Sequence, residues 1–197
     1  MPDFNFRNPE VLHDHLSSMR FWLERGLDGF RLDAVPHLIE NSAERWNDQF
    51  QSRRLTKQFQ TLVKGYPNRY VVCEATANPQ VWAQPQLCGQ AFAFGLVNHC
   101  VAAAKGNVKS ARKAASNFAV HPHTPATFVS NHAIMAGQRL WDRVDGDAAR
   151  SKLTAAAYLL QPGTPFIHYG EQVDQSGLAG LAGHLPVRGP MSWAAEW

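Results

Sequence analysis

Short apolar runs bounded by turn residues, with stretches of helical spacing before and between them, recur along this chain and restrict what it can fold into. The runs cover residues 29–35, 70–74, 91–96, 127–131 and 164–169. The first helix announces itself by its ends: Asn8 suits an N-cap, Pro9 the first helical position and Gly26 the closing residue. Leu12, Leu16, Met19 and Leu23 recur between them at helical spacing. A second helical stretch carries Trp46, Phe50, Leu55, Phe59 and Leu62 and is broken by Pro67-Asn68. Residues 105–118 and 148–160 give two more, the last with Leu153, Ala157 and Leu160 on one face and Pro162-Gly163 behind it.

Strands that alternate with helices of this length form βαβ units and a parallel sheet. The runs are apolar on both faces, as strands covered on both sides require. Five strands with four helical stretches are too few for a closed eight-fold β/α barrel, which takes about 250 residues. An open doubly wound sheet and part of a barrel both satisfy the periodicity. After Glu171 the pattern gives way to loop rich in Gly and Pro.

Composition narrows the class. Nearly half of the 197 residues are apolar and 18% are charged, a globular balance. A net charge of +3 is too weak to argue for nucleic acid or an anionic membrane as partner. Lys105, Lys109, Arg112 and Lys113 fit the solvated face of one helix. Cys73, Cys88 and Cys100 are odd in number and irregularly spaced, so neither a disulfide framework nor a zinc site is expected. No signal-peptide pattern is visible, which makes the cytoplasm the default expectation. The longest apolar stretch, residues 91–104, is too short to span a bilayer.

The strand-end carboxylates point to chemistry. In the first run Arg31 and Asp33 share one face, and opposite charges on a buried strand face are costly unless paired and used. Glu74 ends the next run. Consecutive strands joined by a helical crossover are usually neighbours, so Asp33 and Glu74 should face each other at the carboxyl ends of adjacent strands. Retaining glycosidases need two carboxyl groups about 5–5.5 Å apart. A structural ion pair is the alternative for Arg31 and Asp33.

The wording around the pair is more specific. Gly29-Phe30-Arg31-Leu32-Asp33-Ala34-Val35-Pro36-His37 resembles the nucleophile motif of the α-amylase superfamily, glycoside hydrolase family 13. Phe128-Val129-Ser130-Asn131-His132 is similar to its seventh-strand motif, and Gly163-Thr164-Pro165-Phe166-Ile167-His168-Tyr169-Gly170-Glu171 to its eighth-strand segment. Met1-Pro2-Asp3-Phe4-Asn5 resembles the motif before the third helix, and Arg188-Gly189-Pro190-Met191-Ser192-Trp193 an α-glucosidase-like loop after strand eight. The resemblance implies an α/β fold, a partial (β/α)₈ barrel of about strands four to eight with the N-terminal strands absent. It would occupy residues 1–175, with loop over 176–197.

By the same resemblance Asp33 is the nucleophile, Glu74 the general acid/base and Arg31 the group that keeps Asp33 ionised. Asn131 and His132 belong to the sugar-binding motif, His132 bonding sugar hydroxyls. His37 and Tyr169 either border the sugar site or pack, and Trp141 and Trp193 are either sugar platforms or packing residues. The implied activity is retaining hydrolysis or transfer at α-glucosidic bonds of malto-oligosaccharide-like substrates.

Two departures qualify this. The seventh-strand motif of the family ends Asn-His-Asp, whereas this chain reads Asn131-His132-Ala133 and lacks the third carboxylate. The family's first three strands and its inserted and C-terminal domains have no counterpart, and calcium, usually held by the inserted domain, is not expected. His13-Asp14-His15 and His121-Pro122-His123 lack ligand spacing, so no metal or cofactor is expected. The alternative reading is an inactive fragment or sugar-binding remnant. Its partner would be the missing half-barrel or a second copy of the chain.

Overall fold

Asn8 opens the first helix as its side chain predicts, accepting the Glu10 N–H at 3.0 Å with Pro9 behind it. This is a computed structural model that describes residues 4–120 and 126–193. The chain divides into two units, Met1–Phe92 and Ala93–Trp197.

In the first unit the helix is α1, Pro9–Glu24, whose Leu23 is buried with Met19 packed beside it. Strand β1, Gly29–Leu32, then lies parallel to β2, Tyr70–Cys73, in the register Gly29↔Tyr70 through Leu32↔Cys73. Gly29 sits at φ +155°, and a Cβ there would run into the Tyr70 backbone, so the first pair needs a glycine. The crossover is α2, Phe50–Lys64, which buries Leu55, Phe59 and Val63. A short helix α3, Pro79–Trp82, inserts Trp82 fully into the core beside Val35, Val63 and Cys73.

The second helical stretch therefore starts at Phe50 and leaves Trp46 outside it. The Asn41 and Ser42 N–H groups close a turn onto the Arg45 carbonyl, and Asp48 takes φ +51°, so the chain turns before the helix starts. The cysteines also correct the expectation. Cys73 and Cys88 form a disulfide, with Cα atoms 5.9 Å apart, while Cys100 is free and buried. Spacing in the sequence hid this because residues 74–88 loop out around α3 and return. The Cys73 N–H meets the Gln90 carbonyl at 2.9 Å beside the end of β2.

The run 91–96 is no strand. Ala91 makes one parallel bridge to Cys73, and Phe94 starts a helix. A short run of Ala, Phe and Leu has the same composition in a buried strand and a buried helix turn, and only its continuation to Ala104 separates them.

In the second unit α4, Phe94–Ala104, is followed by α5, Val108–Ala115, and α6, Asn117–Val120. The single helix expected over 105–118 starts only at Val108, after Gly106 at φ +92° and Asn107, whose side chain accepts the Ser110 N–H at 2.9 Å, and it is interrupted at Ser116. Strand β3, Ala126–Thr127, precedes α7, Leu140–Arg143, and α8, Ala148–Leu159. Strand β4, Thr164–Pro165, then pairs parallel with β3. These strands are shorter than the runs 127–131 and 164–169 because beyond Thr127 the backbone is met by side chains rather than by a neighbouring strand.

Helix α8 is capped by Asp147, which accepts from Ala149 and Arg150 N–H. It buries Ser151, Thr154 and Tyr158, while Leu153 and Leu160 face solvent. Tyr158 joins Leu96, Cys100, Val129, Leu140 and Val144 in the core. His121-Pro122-His123 and Met1-Pro2-Asp3 lie outside the described residues. Among the described residues no helix is long and apolar enough to cross a membrane, and no three His, Cys, Asp or Glu side chains are grouped to hold a metal.

Candidate active site

The parallel register of β1 and β2 brings Arg31, Asp33 and Glu74 together at the carboxyl ends of two adjacent strands. Alternation puts Arg31 and Asp33 on one side of the chain, and the pairing of Leu32 with Cys73 leaves Asp33 and Glu74 as the next residues out. Glu74 is anchored by its own backbone, its N–H donating to the Leu32 carbonyl at 2.9 Å and its carbonyl accepting the Val35 N–H at 3.2 Å.

One guanidinium nitrogen serves both carboxylates. Arg31 Nη2 lies 2.8 Å from Asp33 Oδ1 and 3.0 Å from Glu74 Oε2. That common neighbour keeps the two carboxylate oxygens less than about 6 Å apart, and the two carboxyl groups lie close enough to hydrogen-bond each other. The two acids differ in surroundings. The Asp33 side chain is 69% exposed and that of Glu74 8%. Burial pushes the Glu74 carboxyl above the ordinary carboxylate range, and the hydrogen-bonded Asp33 adds to the push. Arg31 and the Ala34 N–H, which donates to Glu74 Oε2 at 3.2 Å, oppose it.

Ala34 was not legible as part of this cluster. It adopts φ +45°, a left-handed conformation that costs an L-residue of order 1–3 kcal/mol. The turn it makes aims its N–H at Glu74 and starts the short helical turn Val35–His37. His37 stacks on Trp46 with ring centroids 5.1 Å apart and planes 13° off parallel. Arg31, Asp33, Ala34 and His37 line a cleft of about 440 Å³ together with Phe4, Phe6 and Phe59. An exposed Asp, a buried Glu whose pKa is raised and a shared cation can attack one side of a bond and protonate the other.

Asn131 and His132 lie in the second unit, in the loop after β3. The Asn131 side chain turns back on its own loop, accepting the Ala133 N–H at 2.8 Å. His132 is exposed, and its carbonyl accepts the Arg188 Nε–H at 2.8 Å. Ala133 is buried and extended, at φ −122° and ψ 127°. Tyr169 lies under the Arg139 guanidinium, 4.7 Å from its ring centroid, and Trp193 is largely exposed.

The sequence matches the family model "Alpha amylase, catalytic domain" over residues 1–195. The chain belongs to that family. It is 30% identical to Alpha-amylase 3 of Dictyoglomus thermophilum over 205 residues, covering 100% of this chain and 38% of that protein. It is 26% identical to the Trehalose synthase/amylase TreS of Mycolicibacterium smegmatis, over 99% of this chain and 40% of that protein. Among solved structures, the α-amylase from H. orenii superposes with a TM-score of 0.81 at 27% identity, covering 98% of this chain and 40% of that one. This chain spans about two fifths of the length of these relatives.

Proposed function

We propose that this chain carries the catalytic carboxylate pair of a retaining enzyme acting on α-glucosidic bonds of malto-oligosaccharide-like sugars. The architecture is read as strands four to eight of a (β/α)₈ barrel, β1 and β2 being the fourth and fifth. The observation that carries this is the single Arg31 nitrogen shared by Asp33 and Glu74 at adjacent strand ends.

In this reading Asp33, ionised and open to the cleft, attacks the anomeric carbon as Glu74 gives its proton to the departing oxygen. Glu74 then takes a proton from water, for hydrolysis, or from a sugar hydroxyl, for transfer, and the ester to Asp33 is broken. Burial of Glu74 suits this role, since a general acid must hold its proton near the working pH. Arg31 keeps the attacking carboxylate paired with a cation, and Asn131, His132 and His37 are assigned to sugar binding.

Ala133 favours a second reading. The family's third carboxylate grips the sugar's 2- and 3-hydroxyls, a contact that strengthens in the transition state. With alanine there, the chain binds sugar or serves as a remnant without measurable turnover.

A covalent trap separates the two readings. The chain, alone and joined to the first half-barrel of a relative, is incubated with an activated fluoro-α-glucoside, and peptide mass spectrometry reads the adduct. A glycosyl ester on Asp33, absent in Asp33→Asn, is the expected result. No adduct in the joined protein, or one at another residue, overturns the assignment.

A further inference from the structure

We infer that Glu171 is a positioning residue that sets the posture of the Ser130–Asn131–His132 segment. That this segment meets sugar rests on the reading above; the positioning does not.

β3 ends at Thr127, so the backbone that follows has no ladder partner. An irregular segment keeps one shape only if other groups hold its polar atoms. Here side chains hold several of them. Arg143 Nη1 donates to the Val129 carbonyl at 2.8 Å and the Ala136 carbonyl at 3.4 Å. Arg188 holds the His132 carbonyl, and the Ile134 N–H donates to His184 Nδ1 at 3.0 Å.

Glu171 differs from these supports. It is the one carboxyl among them, and its partner Ser130 stands directly before Asn131. The Ser130 hydroxyl donates to Glu171 Oε1, and the Tyr158 hydroxyl donates to Oε2 at 3.2 Å. Ser130 and Tyr158 are each 2% exposed. Tyr158 stands on α8, so the carboxylate ties the start of the sugar-motif segment to a regular helix. A group fixed by a rigid element can orient a neighbouring binding residue better than the loop alone.

Burial pushes the Glu171 carboxyl above the ordinary range, while its bonds from Ser130 and Tyr158 and the Arg139 charge pull it back. Arg143 from α7 is the other charge that interacts with it. Protonation would change the bond to Ser130, and Ser130 reports it to its neighbours.

The test uses the whole chain, isotope-labelled, with amide and imidazole NMR followed across pH. The Ser130, Asn131 and His132 backbone amide signals should share one titration that is separate from that of the His132 ring. In Glu171→Gln that shared titration should be lost while the thermal midpoint stays close to wild type. Glu171→Asp should restore part of it. Ser130→Ala should uncouple Asn131 and His132 from Glu171 without changing the rest of the spectrum. If the signals titrate identically in Glu171→Gln, or move only with general unfolding, the positioning role is overturned. Maltotriose is added in a second arm. Absence of any sugar-induced shift at His132, alongside an intact Glu171 response, counts against the sugar-site reading alone.

Discussion

Arg31 Nη2 is 3.0 Å from Glu74 Oε2, so the cation expected to serve the nucleophile also reaches the proposed proton donor. It works there against burial. Burial favours the protonated acid, and Arg31 favours the carboxylate. One residue thus limits how far apart the two acids can be tuned.

Removing that charge should move Glu74 further in the direction burial already pushes it. In Arg31→Met, the Glu74 carboxyl should titrate at higher pH than in wild type, read by carbon-13 carboxyl NMR. In the chain joined to a first half-barrel, the alkaline limb of the pH profile, where Glu74 loses its proton, should move the same way. A Glu74 titration unchanged in Arg31→Met would show that the ion pair is not felt in solution.

Stability should carry the same sign. A carboxyl whose folded pKa is raised stabilises the fold below its unfolded pKa of about 4.3, and that contribution is lost as pH rises through the folded value. Glu74→Gln, which cannot ionise, should therefore gain on wild type as pH rises from about 4.3 through the folded value. Urea midpoints of both proteins at two pH values measure it. A wild type that gains on the variant with rising pH would reverse the assignment.

The Cys73–Cys88 bond closes a loop of 15 residues, for which chain entropy gives about 3 kcal/mol. Cys88→Ala should lower the urea midpoint accordingly, and a reductant should lower the wild-type midpoint by a similar amount but leave the variant unmoved. Alkylation of the unfolded, unreduced chain should label one cysteine, Cys100. Labelling of all three would show that the bond does not form.

Ala133 has an extended backbone that accepts any L-residue, and its N–H is already satisfied by Asn131. Ala133→Asp should raise kcat/KM on an activated α-glucoside by at least about a hundredfold in the chain joined to a first half-barrel, each 1.36 kcal/mol being tenfold. In the 197-residue chain alone the same change should do nothing measurable. Equal rates for Ala and Asp in the joined protein would mean that another group makes this contact.

The sequence showed the first βαβ unit well because its signals are local. Asn8-Pro9 caps α1, Gly29 starts a strand, and alternation sets Arg31 beside Asp33. What stayed hidden depends on where the chain returns. Cys88 meets Cys73 only because residues 74–88 double back around the buried Trp82. Trp46 reads as a helical residue by spacing, yet Asp48 at φ +51° takes it out of the helix and onto His37. Glu171 was visible as part of a motif, but its partners Ser130 and Tyr158 lie 41 and 13 residues away. No periodicity encodes a hydrogen bond of that kind. The residues 127–131 and 164–169 look like full strands, and only the structure shows side chains taking over after Thr127.

Arg31, Asp33, Ala34 and Glu74, together with the backbone bonds that fix them, all come from one strand–helix–strand crossover. This makes the pair transferable. A gene fusion, duplication or circular permutation with its joint outside that crossover carries both acids, their shared cation and their backbone supports into the new protein as a single inherited piece. A joint inside α2 would separate them, and neither half would keep an acid in its present surroundings.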